Sequence, residues 1–496
     1  MKTTSFWLGV LCALFCFGQA QAYEALGGPT QLIRYDASKA YEGYTLFSFA
    51  KKTYLIDMLG NVVHTWNLPM PPGLHMKLME DGSLLGAYRI DAKDVKNKAL
   101  LIGGRGGGLI RLDWDSNVIW DVSLNTEKYL SHHDFVQMPN GNVLVNVWEN
   151  VSYDEAVKAG RNPDQTLKDK GVVYDCLYEI NPKGEIVWRW SSWDLRGGSN
   201  DPEKFDVNFI TYVLPEYKNE NQDWNHFNDV DYDPATDRIV VDSREFSEIY
   251  IIDHKTGKLL YRWGNPAASG QGKPPTYTTT GDQQIFSPHD THFIPQGLPG
   301  AGNILIFDNG WGRPPITFSR VVEMNPETGE IVWSWKSKAE TGFAAHHISG
   351  AQRLPNGNTH VNSGNWGHMF EVTKDGEVVW EYINPVTRGH GPQCWIDDEY
   401  FGVPSGWNNG VFRSHRYGPD FPGLKGKKLE PQGQIAGQCT DIHGSRIKLD
   451  GATQPGAKLW RENTVTTFIP ATPTTAAPAA QEQETEGDDG PAMHAY

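Results

Sequence analysis

Apolar and polar positions alternate with a period of two through short segments of this chain, and the alternation recurs in a fixed context. In Gly184-Glu-Ile-Val-Trp-Arg-Trp190 the two tryptophans stand two residues apart, so both project from one side of an extended strand. The same turn-then-strand pattern is found in Gly60-Asn-Val-Val-His-Thr-Trp66, Ser116-Asn-Val-Ile-Trp120, Gly257-Lys-Leu-Leu-Tyr-Arg-Trp263, Gly329-Glu-Ile-Val-Trp-Ser-Trp335 and Gly376-Glu-Val-Val-Trp-Glu-Tyr382. Six units of this kind, with 47 to 73 residues between successive turns, predict an all-β, six-bladed β-propeller. The paired aromatics are then packing between neighbouring blades.

A second apolar strand precedes turns such as Met138-Pro-Asn-Gly141 and Leu354-Pro-Asn-Gly357, with a histidine at its beginning. His75, His133, His226, His289, His347 and His390 hold this place, roughly 7–10 residues ahead of the turn. In a propeller the outer strand of one blade leads into the innermost strand of the next. The pattern therefore predicts a ring of six histidines round the mouth of the central channel. His390, in Arg388-Gly-His-Gly-Pro392, has no clean turn after it.

Composition agrees with one strand-rich array: 52 glycines and 12% aromatics in 496 residues, with many Asn-Gly and Pro-Asn-Gly turns. A formal net charge of −16 argues against nucleic acid or anionic lipid as partner, and leaves room for a small anion in a locally positive pocket. Residues 1–22 read as a signal peptide, with Lys2, an apolar run from Phe6 to Phe17 and the small-x-small site Ala20-Gln21-Ala22. An exported, periplasmic or secreted protein without a membrane span is expected. Outside the signal, Cys176, Cys394 and Cys439 allow one disulfide at most and a free thiol. Residues 23–42 form a short N-terminal extension, 43–463 the propeller, and 464–496 a low-complexity tail expected to be disordered. The stretches Asn150 to Asp175 and Trp193 to Trp224 are polar insertions over one face.

Clustered imidazoles serve as nucleophile, general acid or base, or metal ligand. The pairs His133-Asp134 and His289-Asp290 suggest carboxylates backing metal-bound imidazoles. Neighbours on a strand face opposite ways, however, which assigns those aspartates to turns or backbone. In Phe307-Asp-Asn-Gly-Trp-Gly-Arg313 a turn carries an arginine back toward the histidines. Its guanidinium fork suits a tetrahedral oxyanion and repels a cation. Anion transfer without a cofactor, and a histidine-bound metal in a lyase or oxidoreductase, both stand at this point.

The chain resembles the bacterial arylsulfate sulfotransferases, in a broader branch of that family. The likeness is carried by Gly43-Tyr-Thr-Leu-Phe47 with Tyr54-Leu-Ile-Asp57, Trp224-Asn-His-Phe-Asn-Asp-Val-Asp-Tyr232, Ser287-Pro-His-Asp290, Phe307-Asp-Asn-Gly310, Ser319-Arg-Val-Val-Glu323, Ile348-Ser-Gly-Ala-Gln-Arg-Leu-Pro-Asn-Gly-Asn358 and Val411-Phe-Arg-Ser-His-Arg-Tyr417. The resemblance implies a six-bladed propeller that moves a sulfuryl group from a phenolic sulfate ester to a phenol through a sulfohistidine, with no nucleotide donor. It implies His347 as nucleophile, with His346 beside it keeping that choice open. Arg313 and a protonated His226 would hold the sulfuryl oxygens, and His289 would pass the proton. His133, His75, Asn309 and His346 are the further substrate-binding candidates.

Overall fold

The computed structural model describes residues 28–209, 222–387, 391–396 and 409–437. The signal peptide, the low-complexity tail, His390 and Cys439 lie outside the described residues.

Six antiparallel sheets follow one another round an axis as a six-bladed propeller. The second blade runs from the inside outward as Pro72–Leu78, Leu84–Arg89, Gly107–Leu112 and Val118–Ser123. The third uses Tyr129–Gln137, Val143–Val151, Val172–Ile180 and Ile186–Ser191. The fourth uses Val230–Asp233, Arg238–Ser243, Glu248–Asp253 and Leu259–Trp263. The fifth uses His289–Phe293, Ile304–Asp308, Arg320–Met324 and Ile331–Trp335. The sixth uses Gly350–Arg353, Thr359–Ser363, His368–Val372 and Val378–Ile383.

Closure involves both ends of the array. The first blade takes Tyr44–Phe49, Lys52–Ile56 and Val62–Asn67 from the N-terminal side, and its innermost strand, Ser414–Tyr417, from the far end of the chain. Gln31–Tyr35, within the expected N-terminal extension, adds a fifth strand to the outer edge of the sixth blade. The stretch around Gln432–Gly433 exchanges backbone hydrogen bonds with Val62 on the outer edge of the first.

The glycine-and-tryptophan repeat has a physical cause. Nε1 of Trp190 donates to the carbonyl of Gly257 at 2.9 Å, Trp263 to Gly329 at 2.9 Å and Trp335 to Gly376 at 3.4 Å. Trp380 reaches Met58, Trp66 reaches Asp113 and Trp120 reaches Pro182. One outer-strand tryptophan of every blade is thus tied to the turn of the next, and these six bonds run once round the molecule. An apolar ring with one polar handle suits a junction that is dry on one side and offers a single carbonyl.

Cys176 is a free, buried thiol, and Cys394 is disulfide-bonded. Among the described residues no helix is long and apolar enough to cross a membrane. In their described residues, both polar insertions leave the third blade at the end where its innermost strand begins. One carries the helix Tyr153–Lys158, opened by a capping box between Ser152 and Glu155.

Candidate functional site

The innermost strands begin on unusual backbone. His133, His226, Ser287, Asp290, Ile348 and Ser349 all take positive φ, between 44° and 88°. Side chains with a Cβ reach this region only when their surroundings enforce it, and such strain gathers at functional sites. Pairing slips between Ser131 and Phe135 and between His289 and His292. These irregularities break the strict alternation of faces.

The expected backbone role of Asp134 and Asp290 is met, since Asp134 accepts from the Phe135 amide at 2.7 Å and Asp290 from the Ala351 amide at 2.7 Å. The break also turns both to the axis, which the alternation did not predict, and there they meet Arg413, which immediately precedes the closing strand. Arg413 reaches Asp134 with Nη1 at 3.1 Å, Asp290 with Nε at 3.0 Å and Asp229 with Nη2. All four side chains are buried. Burial pushes the Asp134 carboxyl up, but Lys77 and Arg413 outweigh it and hold the group well below the usual carboxylate range. A side chain at Gly350 would meet the Asp290 carboxylate 2.3 Å away, so the sixth blade contributes only backbone at this level.

His75 belongs to that layer and not to a ring above it. It stands seven residues before Gly82, as Asp134 does before Gly141 and Asp290 before Gly297, and its Nε2 lies 2.7 Å from Asp134. Its other nitrogen is 3.3 Å from Nε2 of His415, a histidine of the closing strand that the repeat did not single out. Burial pulls His75 down to about 4.

Above the layer the remaining histidines form an arc across the third to sixth blades. The rings of His133 and His226 are 4.7 Å apart and edge-on. Nδ1 of His226 bonds to Asp223. Asn309 donates to the carbonyls of Ala345 at 2.7 Å and Ile348 at 3.0 Å, so its side-chain oxygen must accept from Nδ1 of His289, at 2.7 Å. His289 is therefore neutral with Nε2 as acceptor, and that atom takes the Ile348 N–H at 3.0 Å. Asn309 thus braces the His347 turn.

His346 and His347 part ways. The His346 ring stands edge-on to Trp311 at 4.6 Å. His347 lies against Asn365, whose amide nitrogen is 3.2 and 3.1 Å from its two ring nitrogens. Burial first, then the positive charge of Arg244 and the nearby His346, pulls His347 down to about 3. Burial also holds His289 and His133 well below the ordinary value. At neutral pH these imidazoles are uncharged.

Loops between the second and third strands of the blades complete the face. Arg313 stacks between Phe286 and Phe318, gives Nη2 to Asp308, and keeps a buried Nε without a partner among the described residues. Arg244 takes the corresponding place in the fourth blade. Its amide donates to the His226 carbonyl at 2.9 Å, and its charge bears on both His289 and His347. Asp223, Arg244 and Asn365 escaped the sequence reading. Asp223 adjoins the Trp224-Asn-His226 motif, and Arg244 occupies the same kind of turn as Arg313. Among the described residues no group of three histidines, cysteines or carboxylates is arranged to hold a metal ion.

Residues 32–320 match the arylsulfotransferase (ASST) family, well over half of the chain. The chain belongs to the arylsulfotransferase family. The matched span holds His75, His133, His226, His289, Asn309 and Arg313, and ends before His346 and His347. The arylsulfate sulfotransferase AssT of Escherichia coli O6:H1 is 25% identical over 289 residues, 48% of this chain and 46% of that protein. The match thus spans about half the length of that relative. Among solved structures, a Bacteroides caccae protein of unknown function covers 76% of this chain and 98% of its own, at 14% identity and a TM-score of 0.43. A virginiamycin B lyase from Staphylococcus aureus covers 72% and 88%, at 10% identity and 0.36.

Proposed function

We propose that this protein moves a sulfuryl group from an aryl sulfate to a phenol in two displacements through a sulfated His347, without a nucleotide donor. Support comes from family membership joined to one observation: a neutral imidazole on a strained turn, braced by Asn365 and His289 and facing the charge of Arg244. A nitrogen lone pair of His347 attacks sulfur, the bond from sulfur to the aryl oxygen breaks, and its electron pair leaves with the phenolate. The acceptor phenol then attacks sulfur, the S–N bond breaks, and His347 is restored.

Negative charge sits on the sulfuryl oxygens throughout and grows on the leaving oxygen, as in phosphoryl transfer. Arg244 and the free Nε–H of Arg313 are the donors for the sulfuryl oxygens, each preorganised donor worth about 3–4 kcal/mol of barrier. The resemblance gave the proton to His289 and an oxyanion contact to His226; the hydrogen bonding favours the exchange of these roles. His289 has both nitrogens engaged, whereas Nδ1 of His226 is backed by Asp223 and its Nε2 has no hydrogen bond among the described residues. His226 protonates the departing phenolate and takes the proton of the acceptor. We further propose export to an oxidising compartment, in keeping with the disulfide at Cys394.

The test is release of 4-nitrophenolate from 4-nitrophenyl sulfate by the purified protein, with and without added phenol, followed by mass spectrometry of the peptide bearing His347. One equivalent released without phenol, with His347 sulfated, and continued release only when phenol is added, is the expected result. Undiminished turnover in a His347→Gln variant would overturn the assignment.

A further inference from the structure

Six arginines are buried among the described residues: Arg105, Arg161, Arg313, Arg353, Arg413 and Arg416. Arg313, Arg353, Arg413 and Arg416 meet carboxylates, and Arg161 donates to backbone carbonyls. Arg105 is only 7% exposed, and neither a hydrogen bond nor an ion pair reaches its side chain among the described residues. A guanidinium does not lose its proton in a protein, and an unpaired buried charge is strongly disfavoured unless something binds to it.

Its position is built. Arg105 lies in Gly103-Gly-Arg-Gly-Gly-Gly108, between the second and third strands of the second blade. This loop is stitched along the start of the third blade. Gly104 accepts from the His133 amide at 3.0 Å, Gly106 donates to the Ser131 carbonyl at 2.8 Å, and Arg105 is bridged to His132. A Cβ at Gly104 would fall 2.0 Å from the His133 ring, so only glycine lets the backbone lie this close. Beside it Trp148, stacked on His132 at 4.1 Å, holds a second buried donor, Nε1, with no partner among the described residues. Asp175 is engaged with His132 at 3.2 Å and does not neutralise Arg105.

In a six-fold array the third blade stands opposite the sixth. The arc that begins at His347 ends at His133, and Arg105 lies just beyond that end, on the same face. We propose that Arg105 receives an anionic substituent, a carboxylate or a group of the same charge and shape, at the far end of the aryl substrate from the reacting oxygen. This inference rests on the transferase reading for the orientation of the substrate. It makes the preferred substrates phenols or phenyl sulfates that bear a second negative group.

The test compares 4-hydroxybenzoate with phenol as ligands of the full chain, by equilibrium binding and by the rise in thermal midpoint. Wild-type protein should bind 4-hydroxybenzoate at least about tenfold more tightly than phenol, the worth of one charge-assisted hydrogen bond. In Arg105→Met the preference should fall to near one, and in Arg105→Lys part of it should return. Without ligand, the Met variant should melt at or above the wild-type temperature, because it removes an uncompensated buried charge. Equal preference in wild type and Arg105→Met, or a Met variant that melts well below wild type, overturns the proposal. Turnover of 4-nitrophenyl sulfate with phenol is measured on the same wild-type sample. Its absence would sink the transferase reading while leaving the binding result to judge Arg105.

Discussion

The backbone N–H of Ile348 donates to Nε2 of His289 at 3.0 Å, which ties a fifth-blade histidine to the strained turn that carries His347 in the sixth. With Nδ1 held by Asn309, His289 is a strut between blades. Replacing it by alanine should free the turn and lower turnover by about 10²-fold through misplacement of His347. As a positioning loss it should be equal for 4-nitrophenyl sulfate and for phenyl sulfate, whose phenolate leaves less readily. A much larger loss with phenyl sulfate would show that His289 itself delivers the proton.

The opposite pattern is expected at Asp223. Asp223→Asn keeps the size of the side chain but removes the charge behind Nδ1 of His226. Turnover of phenyl sulfate should fall by about 10²-fold or more, and that of 4-nitrophenyl sulfate much less, because a good leaving group needs little protonation. Equal losses on the two donors would remove His226 from proton transfer.

Acid should unfold this protein early. Burial pulls His75 down to about 4 and His347 to about 3, and it lowers His132, His133, His289, His360 and His415 as well. In the unfolded chain these imidazoles take up protons below about pH 6.5, while in the fold they stay neutral until pH is far lower. The unfolded state therefore binds more protons over that window. Stability is full above about pH 6.5 and falls as pH drops toward 4, by up to about 1.4 kcal/mol per unit for each such group. Thermal midpoints measured from pH 7.5 to 4.5 should fall steadily, and a flat profile would contradict the burial of these rings.

Arg413→Met should be severe. It leaves Asp134, Asp229 and Asp290 facing one another in a buried layer without their shared cation, a loss of about 3–5 kcal/mol. Urea denaturation measures it, and a change under 1 kcal/mol would mean that the layer is held by other contacts.

The blade junctions can be weighed singly. Trp263→Phe keeps most of the apolar contact and deletes the donor to Gly329, which should lower stability by about 1 kcal/mol. Trp190→Phe at the preceding junction should do the same, and the two effects should add, since the donors serve different turns.

The count of blades, the turn glycines and the aromatic strands were legible in the sequence because each arises within a few residues. Alternation sets the face of a tryptophan, and a glycine marks the turn whose carbonyl the preceding blade's tryptophan will find. The placing of histidines at the starts of innermost strands was legible for the same reason, and four of them form the arc. Spacing failed at His75, where a shift of one position puts the side chain in the carboxylate layer. It gave the backbone contacts of Asp134 and Asp290 but missed their meeting with Arg413, because a bulge with a left-handed residue turns two neighbours inward and leaves no local mark. Arg413 and His415 arrive on a strand that closes the first blade from more than 350 residues away, and no local pattern pairs them with Asp134 or His75. Which partners engage the two nitrogens of His289, which arginine faces His347 and which arginine lacks a partner are all questions of contact between blades, and only the closed ring decides them.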